Sequence, residues 1–193
     1  MKSPFFWALK DYFCRNEHQF KSVNDMSVTT EVKSIVDKLD LQNHPEGGYY
    51  KEVFRSKGAS KITYDTNEVI SRNFATSIYF LLTSDQFSAF HKIKQDEIWH
   101  FYQGSPITIH MLSESLGYQV KTVGQLSHEY EPQFVVPANT WFATEVKKLN
   151  AYALVGCGVA PGFSFDDFEL ASSANLLKEY PDHKEVITRL TRQ

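Results

Sequence analysis

Glu97-Ile98-Trp99-His100-Phe101-Tyr102 is followed by Gln103-Gly104-Ser105-Pro106 and then by Ile107-Thr108-Ile109-His110-Met111-Leu112. Two runs rich in aromatic and β-branched side chains flank a Gly-Ser-Pro turn, which is the signal of a β-hairpin. The same grammar repeats on both sides. Upstream lie residues 49–54 and an almost continuous apolar run, 75–82. Downstream lie 118–123, 133–136, 141–146 and 151–159. Eight short strand signals with no helical segment between them predict an antiparallel β-sandwich or barrel over about residues 43–160. A parallel α/β sheet would need intervening helices.

Helices are expected only outside this block. In residues 30–39, Val32, Ile35, Val36 and Leu39 share one helical face, with Thr29 or Thr30 as cap. After the strands, Ser172 or Ser173 can cap a short helix ending before Pro181. Asp182 and Glu185 have capping-box spacing ahead of Val186, Ile187 and Leu190. Residues 1–27 read as an N-terminal helical extension. Ser3-Pro4 is a start signal, Phe5, Ala8, Leu9, Tyr12 and Phe13 share a face, and polar residues 15–24 follow. The expected organisation is therefore this extension plus one β domain with C-terminal helices over 28–193.

Composition agrees with a single globular domain. The 193 residues are 42% hydrophobic and 22% charged, and an aromatic share of 15% favours pleated, half-buried surfaces. The formal net charge of -3, without a Lys/Arg run, gives no footprint for nucleic acid. No apolar stretch approaches the length of a membrane span, and the run Phe5 to Leu9 is too short for a signal-peptide core. Cys14 and Cys157 do not make a disulfide framework, and there is no Asn-x-Ser/Thr sequon. A cytoplasmic, reducing location is the expectation.

Chemistry concentrates between His91 and Gly104. His91 and Glu97 are a candidate catalytic pair, because a carboxylate can orient an imidazole and raise its pKa. Alternation puts Glu97 and Trp99 on one strand face and His100 on the other. Tyr50 is a candidate proton donor. Glu46 precedes Gly47-Gly48, a tight turn that lets a ligand approach the backbone. Arg55 and Arg72 are candidate anchors for phosphate or carboxylate, and Trp99 and Trp141 candidate cavity walls. Each has a plainer reading: a structural His–Glu hydrogen bond, a turn carboxylate, salt bridges, core tryptophans. Asp166 and Asp167 read as loop acids that pair locally, and Cys157 as a small buried strand residue.

The spacing His91-x-Ile93-x3-Glu97-x6-Gly104 resembles the first cupin motif, H-x-H-x3-E-x6-G, with Ile93 at the second His. Pro137, Asn139 and Phe142 echo the second motif, P-x-G-x2-H, with Phe142 at the His. More specifically, His44-Pro-Glu-Gly-Gly-Tyr-Tyr50, Glu97-Ile-Trp-His-Phe101, Val136-Pro137, Leu154-Val-Gly-Cys157 and Pro161-Gly-Phe-Ser-Phe-Asp-Asp-Phe168 are similar to the cupin family catalogued as domain of unknown function 985. The resemblance implies an all-β fold: an antiparallel double-stranded β-helix, the cupin jelly roll, with flanking N- and C-terminal helices. It also implies a homodimer, for which residues 49–54 are the expected contact strand. It implies no established reaction.

Metal-binding cupins take ligands from two His and a Glu of the first motif and the His of the second. Only His91 and Glu97 remain here, too few for a tight divalent site, so no cofactor is expected; any metal would sit on that pair. The leading reading is a small polar metabolite, sugar- or nucleotide-like, bound in the barrel with metal-independent epimerase- or isomerase-type acid–base chemistry. The alternatives are a non-catalytic metabolite-binding module and a metal-dependent oxygenase or isomerase.

Overall fold

A computed structural model describes residues 28–63, 69–115 and 117–192. The helix expected within residues 1–27 lies outside them. Helix α1 spans 28–39. The strands are β1 Gln42–Asn43, β2 Tyr49–Arg55, β3 Ala59–Thr63, β4 Val69–Asn73, β5 Thr76–Thr83, β6 Phe87–Ile93 and β7 Glu97–Gly104. They continue as β8 Ile107–Ser113, β9 Gly117–Val123, β10 Gln133–Val136, β11 Trp141–Glu145, β12 Tyr152–Val159 and β13 Phe168–Leu170. Helices α2, Ser173–Glu179, and α3, Lys184–Arg189, close the chain.

Two antiparallel sheets face each other. One runs β1-β2-β5-β12-β7-β10, the other β13-β6-β11-β8-β9, and β3-β4 form a separate hairpin. Phe80, Trp99, Ile109, Phe142 and Val155 fill the space between them. The outer faces are covered too. Helices α2 and α3 bring Leu176, Ile187 and Leu190 onto Phe90, Leu112 and Trp141 of the five-stranded sheet. Helix α1 lays Val32, Ile35, Val36 and Leu39, the face read from the sequence, against Leu81, Tyr152 and Leu154 of the other sheet. Glu31 fixes it there by accepting from Tyr152 Oη at 2.6 Å and Gln103 Nε2 at 3.2 Å. Both-sided cover explains why β8 and β12 are buried almost end to end rather than alternating.

The jelly roll and flanking helices are as the sequence predicts, but three local expectations change. His91 lies inside a strand absent from the eight sequence signals, β6: Phe87-Ser-Ala-Phe-His-Lys-Ile pairs with both β11 and β13. The hairpin β3-β4 carries no long apolar run, so periodicity did not reveal it. Pro181–His183 form a 3-10 turn, which moves the start of α3 to Lys184 and leaves Asp182 in the turn rather than as its cap.

Phe142 is fully buried, with ring centroids 4.1 Å from His91 and 6.2 Å from Trp99. Phe142→Ala should therefore cost about 3–5 kcal/mol. Urea unfolding followed by circular dichroism should show a lower midpoint with an unchanged slope.

Candidate functional site

A cavity of about 590 Å³ lies between the sheets, within the usual range for small-molecule sites. Its buried end holds His44, Glu46, His91, Glu97 and Cys157. Phe163 and Phe165 line it from the segment before β13 and Phe168 from the first residue of that strand, and Arg55 and Arg72 also reach it.

The turn His44-Pro-Glu-Gly-Gly48 delivers Glu46. Gly47 has φ 118°, and a Cβ there would run into Phe87 O and Arg192 Nη2. The Glu46 carbonyl accepts from Ala89 N at 2.9 Å and from Arg192 Nη2 at 2.9 Å. With its backbone held this way, Glu46 points its carboxyl into the protein, only 6% exposed. Oε2 stands 3.0 Å from His91 Nε2 and 3.6 Å from His44 Nδ1.

Tautomers follow from the partners. His91 Nδ1 is 2.7 Å from the carbonyl of Ala89, which only an N–H can satisfy. Nε2 therefore meets Glu46 as an acceptor when the ring is neutral. Burial lowers the His91 pKa and raises that of Glu46, so a neutral carboxylic acid hydrogen-bonded to a neutral imidazole is favoured over an ion pair. His44 Nδ1 accepts from the Glu46 N–H at 3.3 Å, and burial lowers its pKa as well.

Glu97 is the other buried acid. Burial pushes it up to about 7; Glu46 adds to the rise and His91 opposes it. Its hydrogen-bond partner is the Cys157 thiol, itself driven well above its ordinary value by burial and by Glu97. A carboxyl near 7 can give or take a proton at neutral pH.

The family model for the cupin superfamily (DUF985) matches residues 33–171, which include every residue lining the cavity. The chain belongs to the DUF985 family of the cupin superfamily. A hypothetical protein from Leishmania major of solved structure superposes with a TM-score of 0.76 at 30% identity, covering 83% of this chain and 98% of that one. Protein SO0799 from Shewanella oneidensis gives 0.71 at 38% identity, over 82% of this chain and 96% of that one. Uncharacterized protein YML079W of Saccharomyces cerevisiae is 28% identical over 166 residues, 77% of this chain and 79% of its own.

This DUF985 cupin brings most of the sequence candidates together and rearranges their roles. His91, Glu97, Tyr50, Glu46, Arg55 and Arg72 all line the cavity, and His100 does not. The partner that orients His91 is not Glu97, as its motif spacing suggested, but Glu46 with the Ala89 carbonyl. Tyr50 stands edge-on to His44, ring centroids 4.5 Å apart. Strict alternation along residues 49–55 would put Arg55 and Tyr50 on opposite faces. A bulge between Glu52 and Phe54 resets the parity, so Tyr50, Glu52 and Arg55 line the cavity while Phe54 is exposed. Neither Trp99 nor Trp141 lines it. Trp99 points deeper, into the core between the sheets, and Trp141 faces α2 and α3 with Lys92 Nζ 4.2 Å from its ring centroid. Asp166 pairs locally, accepting from the Ser164 hydroxyl at 3.1 Å, but Asp167 does not: it accepts from Arg72 at 2.7 and 3.0 Å and from Gln95 Nε2 at 2.7 Å, both far away in the chain.

Sequence reasoning gave Cys157 and the three phenylalanines no part in the site. The spacing of Phe163, Phe165 and Phe168 was a usable signal, because aromatic residues in a Pro-Gly loop need something to pack on.

The metal set of metal-binding cupins does not fit these residues. Ile93 lines the cavity and Phe142 packs on His91 where imidazoles would stand. Both His91 ring nitrogens are engaged. Among the described residues no three His, Cys, Asp or Glu side chains form a group able to hold an ion. No helix among them is long and apolar enough to cross a membrane.

Between the ordinary carboxyl value of 4.5 and about 7, the folded chain keeps a proton on Glu97 that the unfolded chain has released. Stability therefore falls as pH rises through that window. Glu97→Gln removes this dependence and keeps an acceptor for the Cys157 thiol. At pH 8 the variant should be more stable than the parent by up to about 3 kcal/mol, and near pH 4, below the ordinary carboxyl value, the two should melt together, as read by calorimetry at each pH.

Proposed function

We propose that this cupin binds a small polar metabolite in its barrel and moves a proton on it without a metal, Glu97 being the acid–base group. The observation that carries the reading is one residue in one place: a carboxyl buried in a cavity of about 590 Å³ and tuned to about 7. The Glu46–His91 pair beside it is a proton reservoir, since Glu46 is held on Nε2 while Nδ1 is anchored to a carbonyl. The rim offers hydrogen-bonding groups at Gln42, Ser71, Asn73 and Ser164, and an aromatic wall at Phe163, Phe165 and Phe168. That mixture suits a hydroxylated ligand of sugar or nucleotide-sugar type. Arg55 reaches an anionic group of such a ligand by exchanging Glu52 for it. A module that holds the same ligand without turnover is the second reading, favoured by the same cavity.

Incubating the purified chain in D2O with a metabolite panel tests the chemistry. Proton transfer at carbon appears as deuterium in the recovered metabolite by mass spectrometry, and Glu97→Gln should slow it at least 100-fold, a typical scale for loss of an acid–base group. Native mass spectrometry that finds a co-purified ligand but no exchange with any panel member would favour the non-catalytic module.

We also propose a homodimer through β2. Strand β1 covers only Tyr49 and Tyr50 of that edge, and Val53 and Phe54 are exposed beyond it. Light scattering at micromolar concentration should return twice the 22.2 kDa chain mass. A monomer mass would overturn the proposal.

A further inference from the structure

The two arginines that line the cavity are both engaged by acids. Arg55 forks onto Glu52, Nε at 2.9 Å and Nη2 at 2.6 Å. Arg72 forks onto Asp167 at 2.7 and 3.0 Å. The buried end is different. Glu46 and Glu97 stand there together, and among the described residues Glu46 has only imidazoles, His91 and His44, as ion-pair partners. Arg192 is bound to the backbone carbonyl of Glu46, not to its carboxylate. Glu97 is nine-tenths buried and lines the cavity, and its hydrogen-bond partner is a thiol, a weak donor. Among the described residues it has no stronger donor than that thiol. The walls around it carry the rings of Tyr50, Phe163, Phe165 and Phe168, whose faces attract cations.

We propose that the buried end of the cavity seats the ammonium head group of an organic cation, held by the Glu97 carboxylate, with Glu46 beside it, and by the Tyr50 and Phe168 rings. The inference rests on reading the cavity as a small-molecule site and names the chemistry that site selects. Among the described residues no Lys or Arg contacts either carboxyl directly, Arg192 acting on Glu46 only from its backbone carbonyl; an ammonium supplies that contact, and its approach stabilises the ionised carboxylate. Below about pH 7, binding converts the Glu97 carboxylic acid to a carboxylate and its proton leaves to solvent, so the ligand itself favours the base form used in the proposed reaction. An anion would meet the Glu97 carboxylate, of its own sign, at depth.

Proton linkage makes this measurable. Glu97 faces His91 from β6, Tyr50 from β2, Cys157 from β12, and His44 and Glu46 from the preceding turn, with the Glu52–Arg55 pair also lining the cavity. Protonation of either His at low pH disfavours a cation, the same direction as protonation of Glu97. The probes are choline with its neutral carbon isostere 3,3-dimethyl-1-butanol, and ethanolamine with ethylene glycol, titrated calorimetrically into the full chain. At pH 8 at least one cation should bind tenfold or more tightly than its neutral counterpart. Its affinity should rise about tenfold per pH unit from pH 5.5 to 6.5 and level off above about 7, with proton release in the lower range, while the neutral probes stay flat. Glu97→Gln, checked for folding by its melting curve, should erase both the preference and the pH dependence. Equal binding of charged and neutral partners, no binding of either cation at millimolar concentration, tighter binding of acetate, or a cation preference that survives Glu97→Gln each overturns the inference. Neutral polyols or sugars bound in the cavity without a cation advantage would leave the metabolite-site reading standing and remove only the ammonium seat. A cation bound as expected, with no deuterium exchange into any metabolite, would do the reverse for catalysis.

Discussion

Two carboxyl groups buried in one cavity constrain everything near them. Ionised and unpaired, each would cost several kcal/mol of lost hydration. The fold answers with protons and weak partners rather than with a direct arginine–carboxylate pair, Arg192 being bound to the Glu46 carbonyl. Glu46 is matched to His91 and His44, and Glu97 to the thiol of Cys157. Every member of the group is pushed by burial toward its uncharged form. Such a cluster stores protons near neutral pH, which gives the cavity its chemical character.

Holding that cluster in place takes distant parts of the chain. Glu46 comes from a glycine-rich turn near the start of the domain, and Arg192, 146 residues later, locks the turn through the Glu46 carbonyl. His91 and Glu97 come from β6 and β7, on opposite sheets. The sheets stay in register because helices bury their outer faces: α1 on one, α2 and α3 on the other. The helices are thus part of the site's support, since a sheet covered on both sides has little freedom to shift the residues on its inner face.

The electrostatics divide along the cavity. Arg55 and Arg72 carry fixed charges already matched by Glu52 and Asp167. The buried end carries groups whose charge depends on pH and on what binds. A ligand that touches both regions meets hydrogen-bond donors and acceptors, aromatic rings and a protonatable pocket, but no unmatched guanidinium at depth.

The eight strand signals, the apolar face of α1 and the C-terminal helices were legible in the sequence because each rests on a local period of two or 3.6 residues. Family motifs also placed His91, Glu97 and Glu46 as candidates, because chemistry-bearing residue types stand at fixed offsets in the chain. What periodicity cannot encode is which side chains meet across sheets. His91 pairing with Glu46 instead of Glu97 depends on a turn packed against Phe87 and Arg192. Arg55 reached the cavity only through a bulge that reverses alternation, and Trp141 left it because its side of the sheet faces the helices. Residue types and their local spacing therefore determined the fold and the list of reactive groups. Partners, protonation states and the sign of the cavity's charge were decided by tertiary packing, because burial and neighbours within a few ångströms, not sequence separation, set the energy of a charge.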